Sequence, residues 1–493
     1  MKNQDTRGVA ALNSQTIRNR NARALWAPIV ILELYLAFTV FIFFFGPVEW
    51  HLPSAPKLAL FLVVNYFGLW LGYGWGIAKG RLVLGQSRVA LMRQVRMPSH
   101  LRLLILASML FSIFSAVVRL LAIRGDLGAV VSTILSPGEA YRESQIIAQM
   151  DRDGQVMAGS RDLSWGFRIS TLFSAFNNLY LPLGLLCWRQ MTAQFRILFF
   201  LALSFTVMYG LGTGAQSGLG FLLFSIMPVA LYYIYVPARP IIGRLASSIR
   251  VARQARLSAV RVKFLTLVSV CAFVALIMFF QVDRQEDSGR SAEVGQDLVG
   301  TFGTVSEHGI REMAGERMNF GFVALCFYVS HGYEGLALAM ELPFEWSFGV
   351  GWSKALQVIY RDYLGGPDLF TRSYLARNEA WTGWPALVWW STIFPWIASD
   401  TTFFGTPFVM VLIGFITGRC WMDVVMTGNP VGFAILGQMF TLVFMFPANN
   451  ALAQTLDGLF SLVGVVCIYM TSRRYFRRSG ITKQRDPVFS PTS

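Results

Sequence analysis

Charged residues are scarce in this chain of 493 residues, and the shortage excludes a soluble protein. Only 14% of the residues are Asp, Glu, Lys or Arg, whereas 54% are hydrophobic and the mean hydropathy is +0.50. A soluble domain of this size carries much more charge. The composition therefore predicts an integral membrane protein.

Histidine and cysteine are also few, and their positions do not indicate a metal site or a disulfide framework. The four histidines are His51, His100, His308 and His331. Their spacing does not suit a set of metal ligands. All five cysteines fall within apolar segments, where thiols behave as small hydrophobic groups. We therefore expect no metal, no cofactor and no disulfide bonds.

Internal repeats are lacking as well. Many secondary transporters consist of two related halves, which appear in the sequence as a repeat. Here seven apolar runs precede a connection of about 120 residues and three follow it, with no recurring period. The sequence therefore gives no support for a transporter with internal symmetry.

Long apolar runs are the main feature that is present. About ten runs are long enough to cross a bilayer as helices, which satisfy their own backbone hydrogen bonds in lipid. They are predicted at 26–46, 57–78, 103–123, 167–188, 197–213, 218–236, 264–281, 402–422, 431–447 and 456–472. The first lacks a small-x-small cleavage site and is predicted to be a retained anchor. We expect an all-α integral membrane protein with about 10–12 transmembrane helices.

Lysine and arginine collect in four segments with little acid, which predicts the orientation in the membrane. These segments are 1–25, 79–102, 239–263 and 473–493. Because short cytoplasmic loops carry the positive excess, we expect all four in the cytoplasm. The connections 124–165 and 282–401 carry both signs and are expected outside. The net charge of +15 then reflects topology and attraction to anionic lipids, not nucleic-acid binding.

This topology divides the chain into five parts. They are a cytoplasmic leader 1–25, a seven-helix region 26–281, a periplasmic loop 282–401, a three-helix region 402–472 and a basic cytoplasmic tail 473–493. Within the loop, the apolar stretches 318–341 and 384–399 are interrupted by charge, proline or glycine. We expect both to dip into the membrane without crossing it, because irregular backbone at depth is tolerated where it lines a cavity.

The stretch 318–341 carries the candidate catalytic residues. Ionisable side chains in apolar segments at membrane depth are costly and usually mark a working site. Helical spacing places His331 beside Glu334, so that one is a candidate base and the other its orienting partner. Such a base can take a proton from a sugar hydroxyl. The alternative is a histidine that is hydrogen-bonded to a neighbouring helix.

The large loop is rich in arginine, more than membrane insertion requires. It contains Arg284, Arg290, Arg311, Arg317, Arg361, Arg372 and Arg377. A guanidinium group binds phosphate oxygens bidentately and stays charged, so this density predicts a diphosphate-bearing lipid substrate. The alternative is that several arginines pair with nearby acids or reach lipid phosphates.

Two sequence runs resemble a known family. The run Tyr328-Val-Ser-His331-Gly-Tyr333-Glu-Gly-Leu-Ala-Leu resembles the Ser/Thr-His-Gly-Tyr-x-Gly-Leu segment of bacterial oligosaccharide repeat-unit polymerases, the Wzy-type O-antigen polymerases. The run from Phe394 to Gly405 resembles their stretch with an aspartate and a glycine before a closing helix, although the usual Asp-Phe-Gly is here Asp400-Thr-Thr-Phe-Phe-Gly405. The spacings Arg284 to Gly295 and Arg372 to Gly383 are similar to an Arg-x10-Gly pattern in the family.

The resemblance covers about 318–420 and implies a function. It implies a GT-C-like glycosyltransferase in the bacterial inner membrane that joins undecaprenyl-diphosphate-linked repeat units at the periplasmic face without a metal. His331 or Glu334 would be the catalytic base. The implied diphosphate-binding or glycan-binding residues are Arg284, Arg290, Arg311, Arg317, Arg372, Arg377, Tyr333 and Asp400. A chain-length regulator and a flippase are the implied partners.

Two other functions remain open at this stage. A ligase that hands a finished polymer to another acceptor would use a similar helical body and a similar arginine-rich loop. A flippase or exporter of lipid-linked sugars would instead show paired repeats, charges along several mid-membrane helices and short outer loops.

Overall fold

The computed structural model is almost entirely helical. It describes residues 2–83, 99–124, 165–212, 217–236, 264–265, 267–268, 272, 300–305, 315–385 and 389–482. The first helices are α1 (Lys2–Phe45), α2 (Ala55–Val83), α3 (Ser99–Arg124), α4 (Trp165–Leu172), α5 (Tyr180–Cys187), α6 (Ala193–Gly212) and α7 (Ser217–Tyr235). The later ones are α8 (Glu316–Ser330), α9 (Gly332–Ala339), α10 (Lys354–Val358), α11 (Tyr374–Thr382), α12 (Phe394–Thr427), α13 (Gly432–Phe444) and α14 (Leu456–Thr482).

Seven helices in the described part of the chain are long and apolar enough to cross a membrane. They include Ala22–Phe45, Ala55–Gly80, Ser99–Leu121, Ala193–Leu211, Met318–Ala339, Phe394–Thr427 and Leu456–Arg474. A pair bent by 56°, Trp165–Leu172 with Ser174–Gln190, would be an eighth. The predicted all-α multi-pass membrane fold is therefore confirmed. The expected number of 10–12 spans is not reached among the described residues.

The difference in number has local causes. The predicted spans 218–236 and 431–447 form apolar helices that are shorter than a span, Gly220–Tyr235 and Gly432–Phe444. The predicted span 264–281 lies almost wholly outside the described residues.

Glycine allows α2 and α12 to pack with their backbones in contact. On α2, Gly68, Gly72, Gly76 and Gly80 recur every four residues and form one face. A Cβ atom at Gly72 would overlap the carbonyl oxygen of Val411, and one at Gly76 would overlap that of Phe415. Gly414 and Gly418 on α12 likewise face the carbonyl oxygens of Leu69 and Tyr73. This is the close approach that small residues permit between membrane helices.

One end of the bundle, here called the outer end, gathers the connections that were predicted to lie outside. Strand β1 (Val48–Trp50) follows α1 and pairs antiparallel with β2 (Gly303–Val305). Ser353 Oγ donates a hydrogen bond to Ala453 O at 2.9 Å, which joins the region after α9 to the connection between α13 and α14. The connection after α1, the large loop and the connection before α14 therefore meet at the same end.

The segment 318–341 has contacts at the outer end along both of its halves. In α8, Phe320 and Phe327 share a hydrophobic cluster with Val48 of the ribbon. Just after α9, Glu341 pairs with Lys57, in the first turn of α2, at 2.9 Å. Length and composition alone would qualify this segment as a span. That this stretch dips into the membrane without crossing it stays a prediction.

Helix α12 has a kink that separates two predicted elements. Its 34 residues would extend about 51 Å if straight, well beyond the hydrocarbon core. Thr402 interrupts the helix with φ 62° and ψ 166°. The kink coincides with the predicted start of the span 402–422. The part before it, from Phe394, belongs to the apolar stretch 384–399 that was predicted not to cross.

We predict that Gly72→Ala destabilises the fold because the new methyl group would overlap a backbone oxygen on α12 that cannot move independently. The expected loss is roughly 1–3 kcal/mol of unfolding free energy, the usual cost of overpacking. The measurement is the thermal unfolding midpoint in detergent. Gly74→Ala on the same helix is the matched control, since its Cβ meets only the ring edge of Trp26 at 3.2 Å. Equal midpoints for the two variants would contradict the glycine contact.

Candidate functional site

His331 lies between α8 and α9 inside an enclosure of aromatic rings. Its ring stacks on Phe327 with centroids 4.9 Å apart, and the rings of Trp390 and Trp384 lie at 6.0 and 6.5 Å. The residue is only 3% exposed. The predicted histidine is therefore held at the outer end of the bundle in nearly apolar surroundings.

The hydrogen bonding of His331 identifies which ring nitrogen can accept a proton. Nδ1 lies 2.9 Å from the carbonyl oxygen of Phe327, which can only accept, so Nδ1 carries the hydrogen. Nε2 then has a lone pair, and it has no hydrogen-bond partner among the described residues. The predicted role of Glu334 in orienting the ring is wrong, because the Phe327 carbonyl orients it.

Glu334 is the second buried ionisable group of this segment. It is 1% exposed, and its Oε2 has no hydrogen-bond partner in the described part of the chain. Its backbone N–H donates to His331 O at 3.1 Å, so the two residues share one turn. A carboxyl group without a partner in such a place is costly and calls for a functional explanation.

Glycine on either side of Tyr333 and Glu334 lets α9 pack tightly into its surroundings. A Cβ atom at Gly335 would lie 2.6 Å from Trp384 Nε1 and 2.7 Å from Ser391 Oγ. The carbonyl oxygen of Gly335 accepts a 3.0 Å hydrogen bond from Asn378 Nδ2 on α11. The two glycines of the predicted motif therefore have a packing role that fixes the position of the ionisable residues.

Tyr333 points away from the large loop, into the bundle. Its hydroxyl lies 2.8 Å from Thr39 Oγ1 on α1 and 2.9 Å from the Tyr66 hydroxyl on α2. The residue is fully buried. Its contacts tie α9 to two membrane helices and do not expose it for the predicted contact with glycan.

Three of the predicted binding residues converge on one loop, residues 343–352. Asp400 accepts hydrogen bonds from Gly349 N at 2.8 Å and from Trp352 N at 3.0 Å. Arg377 donates to Pro343 O at 2.7 Å and pairs with Glu345 at 3.2 Å. Arg372 Nε donates to Trp346 O at 3.0 Å. Each side chain therefore supports this loop.

Arg372 keeps part of its binding capacity. Beyond the bond from Nε, its two terminal nitrogens have no hydrogen-bond partner among the described residues, and its guanidinium lies over the ring of Phe348 at 5.3 Å. Arg361 is committed to its neighbour Asp362 at 2.6 Å. That hydrogen bond holds the pKa of the Asp362 carboxyl below its ordinary value. Arg361 has its charge balanced by this carboxylate, whereas Arg372 has no acidic partner among the described residues and keeps both terminal nitrogens for an anion.

The remaining predicted arginines are not placed. Arg284, Arg290 and Arg311 lie outside the described residues, and the side chain of Arg317 is not described. The structure therefore groups His331 with Glu334, and Arg372 with Arg377 and Asp400. The helices that carry the two groups are in contact: Ala339 of α9, Tyr374 of α11 and Ala398 of α12 pack in one hydrophobic cluster.

The backbone that covers His331 is strained. Trp390 and Thr392 have positive φ angles of 42° and 62°, which are rare for residues other than glycine. The Trp390 carbonyl oxygen accepts a 3.0 Å hydrogen bond from Trp384 Nε1. Strain of this kind costs about 1–3 kcal/mol per residue and is found mostly at functional sites.

Sequence reasoning missed a second polar centre. Arg119 of α3 pairs with Asp457 of α14 at 2.8 Å, and the arginine is 6% exposed. Both residues lie within or beside predicted spans, 103–123 and 456–472. A charged residue inside an apolar run was the available signal, because intramembrane charges mark sites by default.

Comparisons with protein-family models, with curated proteins and with solved structures give no match. The geometry of the described residues therefore carries the functional argument.

We predict that Asp400→Ala loosens the loop 343–352 because two backbone N–H groups lose their acceptor. The loss of about 1 kcal/mol corresponds to roughly fivefold faster chymotrypsin cleavage after Trp346 or Phe348, which are both half exposed. Asp400→Asn, which keeps one acceptor oxygen, should lie between the two. The control is Asp368→Ala, which removes a similar acceptor from Phe370 N outside this loop. Unchanged cleavage in Asp400→Ala would refute this role.

Proposed function

We propose that this protein is a polymerase of undecaprenyl-diphosphate-linked oligosaccharide repeat units, acting at the periplasmic face of the bacterial inner membrane. It is a metal-independent glycosyltransferase with a GT-C-like helical body. The product is a surface polysaccharide such as O-antigen, capsule or exopolysaccharide. Two observations support this function. They are the resemblance of residues 318–420 to the Wzy-type polymerases and the geometry around His331.

The observation that carries the proposal is the buried pair His331 and Glu334. Each has an unpartnered polar atom, Nε2 and Oε2, in the apolar surroundings of the outer end. Folding alone gives no reason to retain two such groups, since each unsatisfied buried group costs about 1–3 kcal/mol. A neutral imidazole with a free Nε2 is suited to general-base catalysis.

In the proposed reaction, His331 Nε2 takes the proton of an acceptor hydroxyl. The oxygen of that hydroxyl forms a bond to the anomeric carbon of the donor glycan, and the bond from this carbon to the diphosphate oxygen breaks. The electron pair leaves with undecaprenyl diphosphate, and the anomeric configuration inverts. Glu334 is the second proton acceptor that the segment offers.

Arginines neutralise the charge of the leaving group in this proposal. Arg372 presents its terminal N–H groups beside the loop 343–352, and Arg377 lies nearby on α11, against the same loop. Preorganised donors of this kind usually contribute much of the rate enhancement, because they need no reorganisation during the reaction. Arg284, Arg290, Arg311 and Arg317 are further candidates from the sequence.

In this proposal, movement of the strained segment 389–393 gives the acceptor hydroxyl access to His331 Nε2. Trp390 packs beside the His331 ring with centroids 6.0 Å apart, and in this proposal its displacement exposes Nε2 to the acceptor hydroxyl. The left-handed backbone at Trp390 and Thr392 stores energy in the covered state and lowers the cost of opening. Substrate binding and exposure of the base are thereby coupled.

The orientation in the membrane rests on the distribution of charge. Both termini and the connections 79–102 and 239–263 are basic, which favours the cytoplasm for all four. The outer end would then face the periplasm, where a flippase delivers lipid-linked units and a chain-length regulator is the expected partner.

We predict that His331→Ala abolishes chain extension in a strain from which the native gene is deleted. Loss of a general base lowers the rate about 10²–10⁴-fold, so single repeat units should replace long chains on gels of the extracted polysaccharide. Glu334→Gln tests the second proton acceptor and should reduce chain length as well. Unattached long chains in the deletion strain would instead identify a ligase.

The matched control is His51→Ala. His51 also places Nδ1 near a backbone carbonyl, Thr301 O at 3.2 Å, but it is exposed at the β-ribbon and should support normal chain length. Full-length chains in His331→Ala, with the protein present in the membrane at the level of the control, would refute the catalytic role.

A further inference from the structure

A second cavity lies among the membrane helices, apart from His331. It has a volume of about 220 Å³ and is bounded by α3, α6, α7, α13, α14 and the 3₁₀ turn Ser174–Asn178. No residue of the segment 315–385 lines it. Its lining is unusually polar for a position within apolar helices, with hydroxyl and carboxamide side chains from all six of these elements.

The charges of this cavity cancel. Arg119 Nη1 lies 2.8 Å from Asp457 Oδ2, and Arg119 Nε donates to Ser170 Oγ at 2.7 Å. The remaining guanidinium nitrogen, Nη2, has no hydrogen-bond partner among the described residues, and Tyr209, a further lining residue, interacts electrostatically with the guanidinium. One arginine with one aspartate leaves no net charge, so the cavity does not select a free anion or a free cation.

Besides Arg119, whose Nη2 has no hydrogen-bond partner, three lining side chains have polar atoms without one among the described residues. They are Ser112 Oγ, Asn177 Oδ1 and Gln438 Oε1. Ser112 and Gln438 are 3% and 4% exposed. The partners of the carboxamides are hydroxyls, Ser115 for Asn177 and Ser461 for Gln438. Because a hydroxyl can accept from the amide nitrogen or donate to the amide oxygen, one amide atom remains uncommitted in either orientation.

These features match a ligand whose groups both donate and accept hydrogen bonds. A phosphate or carboxylate only accepts and carries a charge that this cavity does not balance. A hydroxyl group does both and is neutral. A volume of 220 Å³ far exceeds the space for one water molecule and lies below the 300–1,000 Å³ of drug-sized sites.

We propose that this cavity binds one neutral sugar ring of the lipid-linked glycan, held by Ser112, Asn177 and Gln438 beside the Arg119–Asp457 pair. The identity of the sugar as part of the substrate rests on the proposed function. The binding itself does not require the polymerase reaction. The site would fix one ring of a glycan at the membrane, at a distance from the reacting end at His331.

The test is saturation-transfer NMR on the purified protein in lipid nanodiscs. The probes are free D-galactose, N-acetyl-D-glucosamine, D-mannose and L-rhamnose at millimolar concentration. At least one of them should receive saturation from the wild-type protein. Asn177→Ala and Gln438→Leu should each weaken that signal about tenfold or more, because a hydroxyl of the ligand loses its partner.

Asn65→Ala is the matched control. Asn65 is a buried asparagine on α2 that also donates through Nδ2, to Phe61 O, and also has an unpartnered Oδ1, but it does not line the cavity. It should bind the sugar as the wild-type protein does. Ser112→Leu fills the cavity without touching the ion pair, and it should abolish the signal while the protein still elutes as a single species.

The inference is overturned if none of the four sugars gives a signal with the wild-type protein, since the cavity then holds water only. It is also overturned if the cavity variants give the same signal as Asn65→Ala. Sugar binding by a protein whose deletion leaves the polysaccharide unchanged would refute the proposed function alone. Normal chain extension without sugar binding would refute this inference alone.

Discussion

The backbone contact between α2 and α12 is the constraint on which the outer end of this protein depends. Six glycines line this contact, and at Gly72, Gly76, Gly414 and Gly418 a Cβ would overlap a carbonyl oxygen of the neighbouring helix. Two residues of the fixed helix α2 hold α9 in place. The Tyr66 hydroxyl is hydrogen-bonded to the Tyr333 hydroxyl on α9, and Lys57 pairs with Glu341 just after α9. The kink of α12 at Thr402 then places Asp400 against the loop 343–352. The candidate site is therefore built on a rigid pair of membrane helices.

Above this rigid pair, the protein retains polar groups that a purely structural membrane bundle has no need of. His331, Glu334 and the lining of the second cavity all contain buried atoms without partners. Each lowers stability, and the strained backbone at Trp390 and Thr392 adds to that cost. The proposed function explains these groups together. A catalytic base and a sugar-binding site both need polar atoms that stay without a partner until the substrate binds. The strained segment beside His331 has to move when the acceptor binds.

The sequence predicted the features that follow from local chemistry. Apolar runs gave the membrane helices, proline and charge marked the interrupted stretch before Thr402, and the burial of His331 with Glu334 followed from an apolar segment. The sequence did not predict the features that depend on contacts between residues far apart in the chain. Asp400 and Arg377 hold a loop that lies 51 and 34 positions away along the chain, and the Phe327 carbonyl orients His331 where Glu334 was expected.

The Arg119–Asp457 pair could not be predicted from the sequence for the same reason. Arg119 and Asp457 are 338 residues apart, so neither predicts the other without the fold. The segment 318–341 is a similar case. Its length and composition suffice for a span, while residues in or beside both of its halves have contacts at the outer end, and the sequence predicted neither set of contacts.

Reconstitution distinguishes polymerisation from transport. The purified protein is placed in liposomes with the undecaprenyl-diphosphate-linked repeat unit isolated from the deletion strain, and the glycan products and free undecaprenyl diphosphate are measured by mass spectrometry. The proposed function predicts glycans of two or more repeats, with one undecaprenyl diphosphate released for each new linkage. Movement of intact single units between leaflets without release of diphosphate would contradict it.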